Sequence, residues 1–126
     1  MTDRAKLSLK YADFEARLLS FKGSSLSFPF DEKTAVFKVA NKMFALVGLE
    51  WNPLAVNLKC DPDDAQILRS QFEAITAGYH MNKDHWNTVT LDGSLEPGLV
   101  NKLIEDSYLL VVRSMSKREQ KRLGVS

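Results

Sequence analysis

The sequence predicts an α+β fold: an antiparallel sheet with hairpin wings, flanked by helices. Three observations predict it. Apolar residues recur at three- and four-residue spacing in separate stretches. Short runs rich in β-formers lie between them, one alternating with period two. The link Ala40-Asn41-Lys42 between two such runs is too short for anything but a hairpin.

The first helix is expected over about residues 8–22, where Tyr11, Phe14, Leu18 and Phe21 form one stripe. Gly23 suits the left-handed residue that ends many helices. Ser24 to Pro29 reads as a loop. Ala35 to Val39 and Met43 to Leu49 read as strands, and Asn41 tolerates the positive φ of a tight turn. Leu54, Val56, Leu58 and Cys60 alternate with Ala55, Asn57 and Lys59, giving a strand with one buried face. Cys60 thereby reads as a small buried hydrophobe.

Asp61-Pro62-Asp63-Asp64 is a helix start. Asp61 can accept from free amides, Pro62 fits the first helical position, and the acids favour the positive helix end. Ala65, Leu68, Phe72 and Ile75 give the stripe, and Gly78 ends the helical region. Asn87 to Leu91 reads as a strand and Asp92-Gly93 as a turn. Pro97 opens a long helix. Ser116 and Glu119 have capping-box spacing, so a basic terminal helix is expected over about 117–123.

A chain of 126 residues with 44% hydrophobic and 26% charged content is expected to be one globular domain, able to bury a core without disulfides or metal. Cys60 is the sole cysteine, and no long apolar run is present. These features point to a cytoplasmic protein, without a membrane span and monomeric. The net charge of +1 hides an asymmetry. From Arg113 onward, Arg113, Lys117, Arg118, Lys121 and Arg122 outnumber the one acid, Glu119. A solvated final helix is the simplest reading of that tail; phosphate contact is the alternative.

The most informative stretch is Tyr79-His80-Met81-Asn82-Lys83-Asp84-His85-Trp86. It places both histidines, one of the tryptophans and one of the tyrosines between a helix and a strand. Polar and aromatic groups at such a junction suit a binding surface.

The run from Ala35 to Ala45 resembles the first hairpin of the MmcQ/YjbR family. Leu58-Lys59-Cys60-Asp61-Pro62 resembles its strand-to-helix junction. Gly78 to Lys83 with His85 to Val89 resembles its most distinctive motif, and Ser107-Tyr108-Leu109-Leu110-Val111 its C-terminal helix. The resemblance implies the double-wing, YjbR-like fold and a DNA-binding label drawn from structural analogy. The chain departs from the family where Ala40-Asn41 replaces glycines at the hairpin turn, and where Glu50-Trp51-Asn52-Pro53 lengthens a connection.

Lys38, Lys42, Lys59 and Lys83 match positions where the family tends to carry lysine. Together they would form a basic patch for a phosphate backbone. Asn82 would hydrogen-bond, while Tyr79, His80 and Trp86 would line the surface or stack on an unpaired base. The expected activity is DNA binding without catalysis or cofactor, in a regulatory role. The competing readings are ordinary solvated lysines with Tyr79 and Trp86 in the core, a protein-interaction module, and a small-molecule enzyme using the Tyr79–Trp86 segment. His80 and His85 are five apart and have no supporting ligand pattern, so no metal is expected. No sequence motif of a nucleophile, P-loop or dinucleotide site is present.

Overall fold

The computed structural model describes residues 2–78 and 81–125, with residues 2–10 as backbone alone. The order is α1 (Thr2–Leu19), β1 (Ser24–Ser27), β2 (Thr34–Val39), β3 (Lys42–Gly48), β4 (Ala55–Lys59), α2 (Pro62–Gln71), β5 (Ile75–Ala77), β6 (Trp86–Thr90), α3 (Pro97–Arg113) and α4 (Lys117–Leu123). The strands form one sheet in the order β1-β2-β3-β4-β6-β5, and every neighbouring pair is antiparallel.

Period-two side-chain alternation assigns the two faces of the sheet. Phe37, Ala45, Val47, Val56, Leu58 and Val89 share one face. They join Leu18 of α1 and Val100, Ile104, Tyr108 and Val111 of α3 in a buried cluster. Phe21, Phe44 and Tyr108 close one end of it. Phe21 stacks on Tyr108 at 4.7 Å, and Phe44 meets Tyr108 edge-on at 5.5 Å. The helices thus cover one face of an α+β sheet, as expected. No described helix is long and apolar enough to cross a membrane.

The helix starts follow their sequence signals. Asp61 Oδ1 accepts from Asp63 N at 3.0 Å, with Pro62 in the first turn. Ser116 Oγ accepts from Glu119 N at 3.1 Å. The β2–β3 turn places Ala40 at φ 48° and Asn41 at φ 66°. That is the primed two-residue hairpin, formed here with an alanine where glycine is the cheaper residue.

Four expectations are corrected. The first helix spans Thr2–Leu19 rather than 8–22, and Gly23, at φ 76°, serves the turn into β1. Ser24 to Ser27 is an edge strand, not loop. The second helix stops at Gln71: Phe72 turns extended at φ −130° and ψ 119°, and Ile75 starts β5. Gly78 ends no helix. A Cβ there would lie 2.8 Å from Trp86 Cβ, so glycine lets the end of β5 close on β6.

The sheet is irregular where β2 meets β3. Phe37 faces Ala45 and Lys38 faces Met43, which leaves Phe44 as the extra residue of a bulge. Ser107 of α3 serves the freed groups. Its hydroxyl donates to Phe44 O at 2.6 Å and accepts from Lys59 N at 2.8 Å.

Candidate nucleic-acid interface

The strand register fixes where the predicted lysines stand. Lys38 pairs with Ser25 and Met43, and Lys59 pairs with Trp86. Leu58 pairs with Ala45, so Lys59 stands beside the bulged Phe44 and next to Met43. Ser25, Lys38, Met43, Lys59 and Trp86 therefore form one row across the face opposite the helices. The next row on that face is Ser27, Val36, Leu46, Asn57, Thr88 and Thr76. Thr88 donates to Asn57 Oδ1 at 2.5 Å, anchoring the fully buried Asn57. Lys38 and Lys59 are half-buried, and neither row carries a carboxylate.

Lys42 stands apart from that row. It pairs with Val39 and so lies on the helix face, with Nζ 3.4 Å from Ser114 Oγ at the end of α3. Lys83 is exposed, but its ammonium donates to Gly78 O at 3.3 Å, across its own loop. Asn82 Oδ1 accepts from Asp84 N at 2.9 Å, which makes an Asx turn of this residue. Trp86 is only 8% exposed, so it serves the core more than an open stacking surface. Tyr79 and His80 lie outside the described residues. His85 is exposed and ties the loop through its backbone, as Cys60 N donates to His85 O at 2.8 Å.

Cys60 departs from its expected burial. It follows the last residue of β4, and it is half-exposed beside α2. Burial first, then the carboxylates of Asp64, Asp61 and Asp106, push its thiol up to about 11. The thiol is protonated at neutral pH and a poor nucleophile.

Sequence reasoning missed Arg69. It follows the buried Ala65 by four residues and so lies on the inward side of α2. Its Nε donates to Asn87 Oδ1 at 2.7 Å, and Nη2 to the carbonyls of Trp86, at 3.2 Å, and Lys83. One planar guanidinium thus fixes the loop that precedes β6. A cation four residues past an apolar core position was the available signal.

The basic tail was also underread. Lys22 Nζ donates to Gly124 O at 3.2 Å, and Tyr108 Oη donates to Lys22 O at 2.6 Å. Leu123 lies so close to Gly23 that a Cβ there would meet its side chain at 3.1 Å. α4 therefore docks beside the α1–β1 turn, and Ser114, just before it, meets Lys42 of the hairpin. Lys117, Arg118, Lys121 and Arg122 are exposed on α4, and its one acid, Glu119, lies 3.4 Å from Arg122. The fold gathers these four cations with Lys22 and Lys42 at the hairpin end of the molecule, where Lys38 borders the sheet face opposite the helices.

Comparison with known proteins agrees with this architecture. The YjbR family model matches residues 19–110. The chain is 38% identical over 98 residues to uncharacterized protein YbdF of Escherichia coli O157:H7, covering 78% of this chain and 80% of that one. It is 37% identical over 101 residues to uncharacterized protein YjbR of Escherichia coli K12, covering 80% and 86%. Among solved structures, Deinococcus radiodurans protein DR2400, with a DUF419 domain, superposes with a TM-score of 0.85 at 38% identity, over 92% of this chain and 88% of that one. A Pseudomonas syringae protein superposes with a TM-score of 0.68 at 29% identity, over 79% and 96%. A bulged antiparallel sheet with its helices on one face, a family model spanning most of the chain and relatives of matching length agree: the chain belongs to the YjbR family.

Proposed function

We propose that this protein binds nucleic acid non-covalently, gripping the phosphate backbone with the hairpin end of the molecule. The observation that carries the reading is the gathering of Lys22, Lys38, Lys42 and the four cations of α4 around one acid, itself beside Arg122, in a chain of net charge +1. Phosphate contacts of this kind release counterions, so affinity depends steeply on salt. Lys59 extends the cationic row along the sheet face opposite the helices. Lys83 and Asn82 shape the neighbouring loop, and Trp86 supports it from within. The proposed activity needs neither catalysis nor a cofactor, and DNA is the expected partner.

The test is fluorescence anisotropy of labelled double- and single-stranded DNA across about 50 to about 200 mM salt. Saturable binding with a steep salt slope is expected. Lys38→Ala, Lys42→Ala and Lys121→Ala should each lower the slope by about 0.9 on duplex DNA. Lys83→Ala should leave the slope unchanged, because its ammonium is turned to Gly78 O. Absence of saturable binding at the lowest salt overturns the reading.

A second reading rests on different residues. Phe28 is 44% exposed and Phe30 is 70% exposed, just past the edge strand β1. An extended peptide added to that edge would cover them. Protection of the β1 amides by a partner, with no DNA binding, would favour it.

A further inference from the structure

The sheet has two edges, β1 and β5. β5 is three residues long, and its end closes on β6 at Gly78. β1 is longer and presents the backbone N–H and C=O groups that β2 does not take, with Ser25 and Ser27 exposed along it. Proteins commonly guard such an edge with a charge, a proline or a bulge. Ser24-Ser25-Leu26-Ser27 has none of these, and its register with β2 is regular.

Apolar surface continues the edge. Leu26 is half-buried, and Phe28 and Phe30, on alternate residues after it, are exposed. Exposed apolar groups gathered on one segment mark an interaction surface. Pro29 lacks an N–H, so a ladder with a new strand would end there.

The charge beside β1 changes sign along its length. Its start follows Lys22, and Ser25 pairs with Lys38 of β2. Lys22 Nζ also donates to Gly124 O, which brings the basic α4 to the same end. The other end leads into Asp31 and Glu32, both exposed. Lys33 lies 3.4 Å from Glu50, and neither Asp31 nor Glu32 has an ion-pair partner among the described residues. A strand of the same sequence laid antiparallel on this edge meets every charge with its opposite. Laid parallel, it would set like against like. The charge pattern thus selects a second copy of the chain as the occupant.

We infer that β1 pairs antiparallel with β1 of a second copy, joining two six-stranded sheets into one continuous sheet. A two-fold axis normal to the sheet keeps the faces matched, so one residue must pair with its own counterpart. With Leu26 on the axis, Ser25 pairs with Ser27 of the second copy and Phe28 with its Ser24. The Asp31–Glu32 turn then comes beside Lys22 of the second copy. With Ser25 on the axis, Phe28 would fall beyond the end of the second strand. The interface is isologous and closed, so association stops at the dimer. This occupant deepens the β1-edge reading and stands whether or not the protein binds nucleic acid. The strands are short, so a Kd on the order of 100 μM is expected.

The experiment is sedimentation velocity of the full chain without nucleic acid, from about 10 μM to about 1 mM. A monomer–dimer equilibrium is expected, with nothing larger, and it should weaken as salt is raised from about 50 to about 500 mM. Phe30→Ser and Glu32→Lys change exposed side chains and should each weaken the dimer by about threefold or more. In a Cys60→Ala background, Ser25→Cys mixed with Ser27→Cys should form disulfides faster than either protein alone, because only that pair stands opposite in this register. A monomer at every concentration, or species larger than a dimer, overturns the inference and leaves the nucleic-acid reading untouched. A dimer indifferent to both salt and Glu32→Lys overturns the charge pairing. Equal crosslinking of the mixed and single proteins overturns the register.

Discussion

Arg69 Nε donates to Asn87 Oδ1 at 2.7 Å and thereby joins the inner side of α2 to β6. The same guanidinium serves the carbonyls of Trp86 and Lys83, so one side chain fixes both the start of β6 and the loop before it. Arg69→Ala leaves these acceptors without their donor in a partly buried place. The expected loss is about 2 to 4 kcal/mol, since charged hydrogen bonds contribute roughly 1.5 to 3 each and are not additive. Arg69→Lys should recover only a minor part, because an ammonium cannot reproduce the fork. Urea unfolding of the three proteins measures this, and equal midpoints for Arg69→Ala and the parent would remove Arg69 from that role.

Ser107 makes a second tie of the same kind. It stands inside the bulge, donating to Phe44 O and accepting from Lys59 N, and it is fully buried. Ser107→Ala frees one carbonyl and one N–H at once. A loss of about 1 to 3 kcal/mol is expected. Amide exchange should localise it, with the Lys59 N–H losing protection ahead of the neighbouring strand amides. Uniform exchange across β3 and β4 would contradict the tie.

Much of this fold is legible in the chain because local signals and tertiary need agree. Asp61-Pro62 starts α2 with a cap that needs no other element, and the alternation from Leu54 to Leu58 states which side of β4 meets the helices. The signals fail where pairing alone makes structure. β1 offers a single apolar residue, Leu26, and exists through its backbone bonds to β2. Ile75 follows Phe72 by a helical three-residue step, yet Phe72 turns extended and Ile75 pairs with Val89. The candidate site divides in the same way. The parity that groups Lys38 with Lys59 can be read from the strands. The approach of Lys22 to Gly124 joins residues at opposite ends of the chain and has no local signature. The partner of Lys83 is a backbone carbonyl, which residue identity does not reveal.

Cys60 offers a test by pH. Its thiol is pushed up to about 11 from an ordinary 9.0. The folded state therefore holds the proton at pH values where the unfolded chain has released it. Its contribution to stability is fully present below pH 9 and is lost as pH rises toward 11. Denaturation midpoints of the parent should fall more steeply over that window than those of Cys60→Ala. Reaction of the folded thiol with a disulfide reagent should keep accelerating up to about pH 11 instead of levelling off near 9. A plateau near pH 9 would show an unperturbed thiol.

Two tyrosines should respond oppositely to loss of their hydroxyls. Tyr108 Oη donates to Lys22 O at 2.6 Å and ties α3 to the turn that leads into β1. Its ring stacks on Phe21, so Tyr108→Phe keeps the packing and removes the bond alone. A loss of about 1 to 2 kcal/mol is expected. Tyr11 Oη is buried with no hydrogen-bond partner among the described residues. Burial, and then the charge of Glu15, raise this phenol to about 12. The folded state therefore bears the desolvation of Tyr11 Oη with no bond in return, whereas the unfolded chain hydrates it. Tyr11→Phe removes that penalty and should leave stability unchanged or raise it by up to about 1 kcal/mol. Urea midpoints of the two variants measured side by side decide the matter. If Tyr11→Phe loses as much as Tyr108→Phe, its hydroxyl has a partner in the folded protein. If Tyr108→Phe loses nothing, the link between α3 and Lys22 does not hold the basic end in place.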